Sequence, residues 1–173
     1  MGGWKNPSLS EICPANQLIF GSIQTTMYPA LLNTHSFLRY FVLILLLIVI
    51  VNSFLGFSSK RSFGKIDNIL GLTLFSVTHT QLLLGLILYF VSPFVQFNSE
   101  TMKSARYWTV EHLTIMLAAV VLITLARTTS KKMSDATAKH KRMLIFNSIA
   151  LVLILVGIAM AKRGFFSLPG ISS

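Results

Sequence analysis

Six side chains able to do chemistry interrupt the apolar stretches of this chain: His35, Arg39, His79, Gln81, Glu111 and His112. Ionisable or ligating groups are costly in hydrocarbon, so inside a membrane span they mark a functional site by default. His79 and His112 are the most suggestive pair. They lie at mirror-image distances from the connector VSPFVQFNSE at 91–100. If the flanking helices form an antiparallel hairpin, the two imidazoles share one depth. A pair of histidines at one depth suits the axial positions of a haem iron.

The elements that must position these residues follow from composition. Of 173 residues, 53% are hydrophobic and 12% charged, with a mean hydropathy of +0.69. Soluble domains carry about 25% charged residues, so the chain belongs to the membrane class. Its one cysteine, Cys13, excludes an intrachain disulfide, a CxxC redox pair, a CxxCH haem attachment and a cysteine zinc site. A redox cofactor must then be held by histidine or methionine. The net charge of +10 does not point to nucleic acid, because its densest cluster caps the ends of apolar runs and no recognition motif accompanies it.

Four apolar runs are each long enough to cross the hydrocarbon, which takes about 20 residues. They predict helices at about 29–57, 68–91, 104–127 and 140–161. Pro29 suits a first helical turn, and Ser92-Pro93 suits a helix end. Ser99-Glu100 is a plausible start for the third helix. The fold class is therefore an all-α, integral membrane four-helix bundle, a single domain over 27–173. Residues 1–26 do not resemble the rest and lack the apolar stretch of a signal peptide. Met27 is the expected native start, and the alternative is a short polar tail or surface helix. N-terminal peptide sequencing separates the two, since a native terminus upstream of Met27 removes the first.

Charge predicts the topology. The loops at 58–67 and 128–139, with the helix ends beside them, hold nine basic residues: Lys60, Arg61, Lys65, Arg127, Lys131, Lys132, Lys139, Lys141 and Arg142. The opposite side holds Lys5, Lys103, Arg106, Lys162 and Arg163. Basic loops stay in the cytoplasm, so both termini are expected outside a bacterial inner membrane. His140, amid KHKR, reads as a solvated residue at the cytoplasmic start of the fourth helix.

Several assignments stay open. His79 shares its helical face with Leu72, Phe75, Ser76, Leu82 and Leu86, a surface fit to line a flat apolar cofactor, and equally fit for ordinary helix packing. Glu111 is adjacent to His112 and points about 100° away from it. It is placed to pair with Arg39. His35 and Arg39 share a face at a spacing of four. They suit a haem propionate, or His35 is itself an axial ligand. A quinone or proton site built from His, Glu and Arg is one alternative, and a structural polar cluster another. The Glu-x-x-His pair of carboxylate-bridged iron bundles is absent from the sequence. No span is broken at its middle by Gly or Pro in the manner of transporter sites.

The segments HSFLRYFVLILL (35–46), THTQLLLGLILYFVSP (78–93), EHLTIMLAAVVLIT (111–124) and KHKRMLIFNSIALVLILVGI (139–158) resemble a family of small four-helix bacterial membrane proteins labelled cytochrome b-like. The resemblance covers about 27–161. The family's His-x3-Arg element falls on His35 and Arg39, its His-x-Gln on His79 and Gln81, and its Glu-His on Glu111 and His112. The tail AKRGFFSLPG departs from the family's ending. Cytochrome b561-type bundles and each half of haem A synthase are similar in architecture only. The resemblance implies haem b and electron transfer.

The expected function is thus a b-type cytochrome in the bilayer, exchanging electrons with a quinone or a respiratory-complex partner. His79 and His112 are its metal ligands, with Arg39 and His35 near the propionates and Gln81 and Glu111 supporting the site. Two ring ligands fill the axial positions, so an electron carrier is expected rather than a catalyst. The alternative is a non-catalytic accessory or assembly subunit of a membrane complex.

Overall fold

The computed structural model of the protein describes residues 15–92 and 106–160, the first twelve of these as backbone only. Regular structure among them is entirely helical. Helix α1 is Ala15–Ser58, α2 is Lys65–Val91, α3 is His112–Lys132 and α4 is Ala136–Met160. A five-residue π-helical turn, Tyr107–Glu111, leads into α3. Four helices are long and apolar enough to cross a membrane, within Met27–Ser58, Lys65–Val91, Tyr107–Lys132 and Ala136–Met160. In hydrocarbon each backbone N–H and C=O must be satisfied within the chain, which helices achieve. The apolar side chains that face outward, such as Phe37, Leu83 and Phe90, suit a lipid surround.

The helix bounds differ from the sequence expectation for local reasons. Helix α1 begins upstream of Pro29, so the proline lies inside the helix rather than in its first turn. Helix α2 begins three residues early because the Asp67 carboxylate reaches back to accept the Gly64 N–H at 2.7 Å. Asp135 caps α4 in the opposite sense, as the residue before the helix that accepts the Ala138 N–H ahead of it at 2.7 Å. Helix α3 runs on through TTSKK, where Thr128 and Thr129 hydroxyls donate to their own helix carbonyls four residues back. The expected helix start at Ser99 and the C-terminal tail lie outside the described residues.

The α1–α2 turn is closed by backbone. The Lys60 N–H bonds the Phe57 carbonyl and the Arg61 N–H bonds the Gly56 carbonyl, the paired closure of a Schellman C-cap. That closure puts Lys60 at a φ of 52°. Asp67 then ties the turn to α1: Arg61 Nη2 and Asn52 Nδ2 each donate to its Oδ1 at 2.6 Å. The carboxylate is 5% exposed and collects three donors.

A dry core of Leu46, Val49, Leu74, Ile123, Ala126, Met143 and Ala150 packs the end of the bundle nearer the two short turns. Helices α3 and α4 pack most extensively, α1 lies against both α2 and α4, and the α2–α3 seam is the smallest between neighbouring helices. His140 is not a solvated residue. It is fully buried, with its ring against the Gly56 backbone and 5.0 Å from the Phe63 ring. Glycine at 56 leaves the notch into which this ring fits.

Two expectations follow. Gly56→Ala drives a methyl into the His140 ring, and overpacking of this kind costs about 1–3 kcal/mol; thermal unfolding in detergent reads the loss. Lys60→Gly relieves a left-handed residue and is expected to raise stability in the same assay by roughly 1 kcal/mol.

Candidate functional site

The half of the bundle away from the two short turns encloses a cavity. Helix α1 contributes His35, Ser36 and Arg39; α2 contributes Thr78, Gln81, Gly85 and Tyr89. Tyr107 and Trp108 of the π-turn, with His112 and Met116 of α3, form the facing wall. Val42, Ile123, Ile154 and Ile158 add an apolar lining.

Four of the six sequence-selected residues meet here: His35, Arg39, Gln81 and His112. His35 is held by α2. Gln81 Nε2 donates to the His35 backbone carbonyl at 3.0 Å and lies 3.3 Å from its ring Nε2. One turn further, Gly85 leaves room for the ring: a Cβ built on it would lie 3.2 Å from His35 Cε1. His35, Arg39 and His112 line the same cavity.

His112 is held by the π-turn. Its backbone N–H bonds the Tyr107 carbonyl, five residues back. In an α-helix, five steps of roughly 100° leave two residues about 140° apart. Closing the turn at five residues instead stacks them. The Tyr107 hydroxyl consequently lies 3.3 Å from His112 Nδ1 while donating a short hydrogen bond to the Gly157 carbonyl of α4. The Trp108 ring packs 5.5 Å from the imidazole. Tyr89 of α2 donates to the Thr109 carbonyl at 3.0 Å and ties the π-turn to the other hairpin.

The remaining two residues stand apart. His79 is half-buried and is not part of the cavity lining. Its Nδ1 lies 2.8 Å from the Phe75 carbonyl, so that nitrogen carries the proton, and its ring packs 4.1 Å from the Phe75 ring. Glu111 pairs with Arg106 at 2.9 Å, not with Arg39. The expected Arg39–Glu111 pair is therefore absent, because Arg106, one turn earlier on the same segment, reaches the carboxylate first.

The cavity wall holds an unusual set of orphaned atoms. His35 Nδ1, Arg39 Nε, Thr78 Oγ1 and Gln81 Oε1 are all buried with no hydrogen-bond partner among the described residues. Arg39 donates to the Tyr40 hydroxyl at 3.0 Å and pairs with no carboxylate among those residues. Unpaired buried polar atoms are rare and each calls for an explanation; the other four among the described residues belong to His140 and Asn147, which do not line the cavity. The four on the cavity differ in facing a space that can admit a polar ligand, and Arg39 favours an anionic group on it.

Sequence reasoning missed Tyr107, Tyr89 and Thr78. The only trace of Tyr107 was its closeness to His112 in the sequence, which α-helical periodicity discounts. Gln81→Leu is expected to lower thermal stability by about 1 kcal/mol, since it removes the clamp on His35. An unchanged unfolding midpoint would mean that the clamp contributes nothing. No protein-family model, no curated protein and no solved structure matches the chain.

Proposed function

We propose that the protein is a membrane b-type cytochrome that carries electrons, with haem held in the cavity between His35 of α1 and His112 of α3. One observation carries this reading: two imidazoles from different helices line one apolar cavity together with an arginine that has no carboxylate partner among the described residues. The donor set favours haem over a bare metal ion. Among the described residues, no group of three or more His, Cys, Asp or Glu gathers as a protein-held ion requires. A macrocycle brings its own equatorial nitrogens and asks the protein for axial ligands alone.

Each residue then has a definite task. His35 and His112 would hold the haem iron, with Gln81 bonded to the His35 backbone carbonyl to steady the helix that carries it. Arg39 neutralises a propionate with its forked donors. Val42, Ile123, Ile154 and Ile158 exclude water, which helps set the potential. The bound haem supplies a one-electron redox couple. Two imidazoles on the iron would leave it no open position for oxygen, which suits an electron carrier. The positive-inside rule orients the basic turn end to the cytoplasm of a bacterial inner membrane, with the cavity in the outer half. A quinone or a respiratory complex is the proposed exchange partner.

The test is the reduced-minus-oxidised visible spectrum of purified protein supplied with haem. Low-spin b-type bands are expected in the wild type and in His79→Ala, and are expected to vanish in both His35→Ala and His112→Ala. Loss in His79→Ala with retention in His35→Ala would return the ligand role to the His79–His112 pair. A folded, colourless wild type would remove the cytochrome reading and favour the accessory-subunit alternative, with loss of partners on deletion as its signature.

A further inference from the structure

We infer that the protein fixes the tautomer of both cavity imidazoles before any ligand arrives, with Tyr107 and Gln81 as the positioning residues. The role of this arrangement in haem binding rests on the cytochrome reading; the tautomers do not.

The argument is a count of protons. A tyrosine hydroxyl has one proton to donate. Tyr107 gives that proton to the Gly157 carbonyl, which has none to offer in return. Toward His112 Nδ1 the same oxygen is therefore an acceptor, and Nδ1 must carry the hydrogen. The lone pair of His112 is left on Nε2. At His35 the logic is inverted. The backbone carbonyl beside Gln81 accepts only, so the amide nitrogen, not the oxygen, must face it. That orientation presents a second amide N–H to His35 Nε2, which accepts it, and the proton lies on Nδ1.

Both rings thus reach the same state by different devices, one with an acceptor at Nδ1 and one with a donor at Nε2. Each presents Nε2 as the basic atom, the form a metal ligand requires. For His112 the device extends across the bundle. The carbonyl that holds Tyr107 belongs to Gly157, the position where α4 comes so close to Met116 of α3 that a Cβ would collide with its methyl. Tyr107 is therefore set by the α3–α4 seam as well as by its own π-turn. Partners of the non-ligating nitrogen orient a metal-bound imidazole and raise its basicity.

Nitrogen-15 spectra of ring-labelled histidines test this in the haem-free full chain, above roughly pH 8 where imidazole is neutral. Histidine-to-glutamine variants assign the signals. The expected result is Nδ1–H for His35 and His112, with Tyr107→Phe moving His112 alone towards Nε2–H and Gln81→Leu moving His35 alone. An Nε2–H form of His112 in the wild type, or a Tyr107→Phe spectrum identical to wild type, overturns the proposal. If haem binds, Tyr107→Phe is expected to keep the b-type bands and shift the midpoint potential upward, because a ligand that loses its Nδ1 acceptor donates less to ferric iron. A protein that shows the expected tautomers yet takes up no haem loses the cytochrome reading and keeps this one.

Discussion

Hydrocarbon offers no hydrogen bonds, and the arrangement of this bundle follows from that constraint. Backbone groups are satisfied by helix formation. Buried His140 and Asn147 keep unpartnered atoms in the packed interior, and the other polar side chains gather in two separate places. Near the short turns, Asp67 gathers Arg61, Asn52 and the Gly64 N–H, and Arg127 bonds Asn68. At the other end, His35, Arg39, Gln81 and His112 surround a cavity where several polar atoms stay unpaired. Between the two lies a core of aliphatic side chains. The first cluster is closed within the chain. The second is complete only with something added, and that difference separates a structural network from a binding site.

The π-turn and the close helix approaches serve the second cluster. A regular helical start to α3 would carry Tyr107 away from His112. A bulkier residue at Gly157 would push α4 off α3 and move the carbonyl on which Tyr107 depends. A side chain at Gly85 would press against His35. The imidazoles are therefore held by contacts from α2 and α4, although they are carried by α1 and α3.

Hydropathy made the four helices readable in the sequence, because a span is a property of composition over about 20 residues. Their ends were not readable to the same degree. Asp67 reaches back to cap Gly64 while Asp135 caps the residues ahead of it, and the polar run TTSKK remains helical through bonds to its own carbonyls. Depth could be read from loop symmetry, and it drew attention to His79 and His112. Rotation about each helix axis could not. The structure turns His35 and His112 into the cavity and engages His79 with Phe75. His140 was misread because its neighbours in sequence are basic, whereas its burial is decided by Gly56, on another helix. The Arg39–Glu111 pairing failed for a similar reason, since Arg106 competes locally for the carboxylate.

Both short turns, at 59–64 and 133–135, lie at one end of the bundle, and the cavity lies towards the other. The molecule is therefore built like a pair of tongs, with the Arg127–Asn68 bond joining the hairpins beside the pivot and the Tyr89–Thr109 bond joining them near the imidazoles at the tips. From Asp67 to Gln81 the lever arm is roughly 21 Å, at 1.5 Å of rise per residue. A rotation of only about 3° between the hairpins moves the cavity walls by about 1 Å at that radius. Small changes in packing at the pivot are thus magnified into ligand-scale changes in width at the site, while the dry core beside the pivot hardly moves.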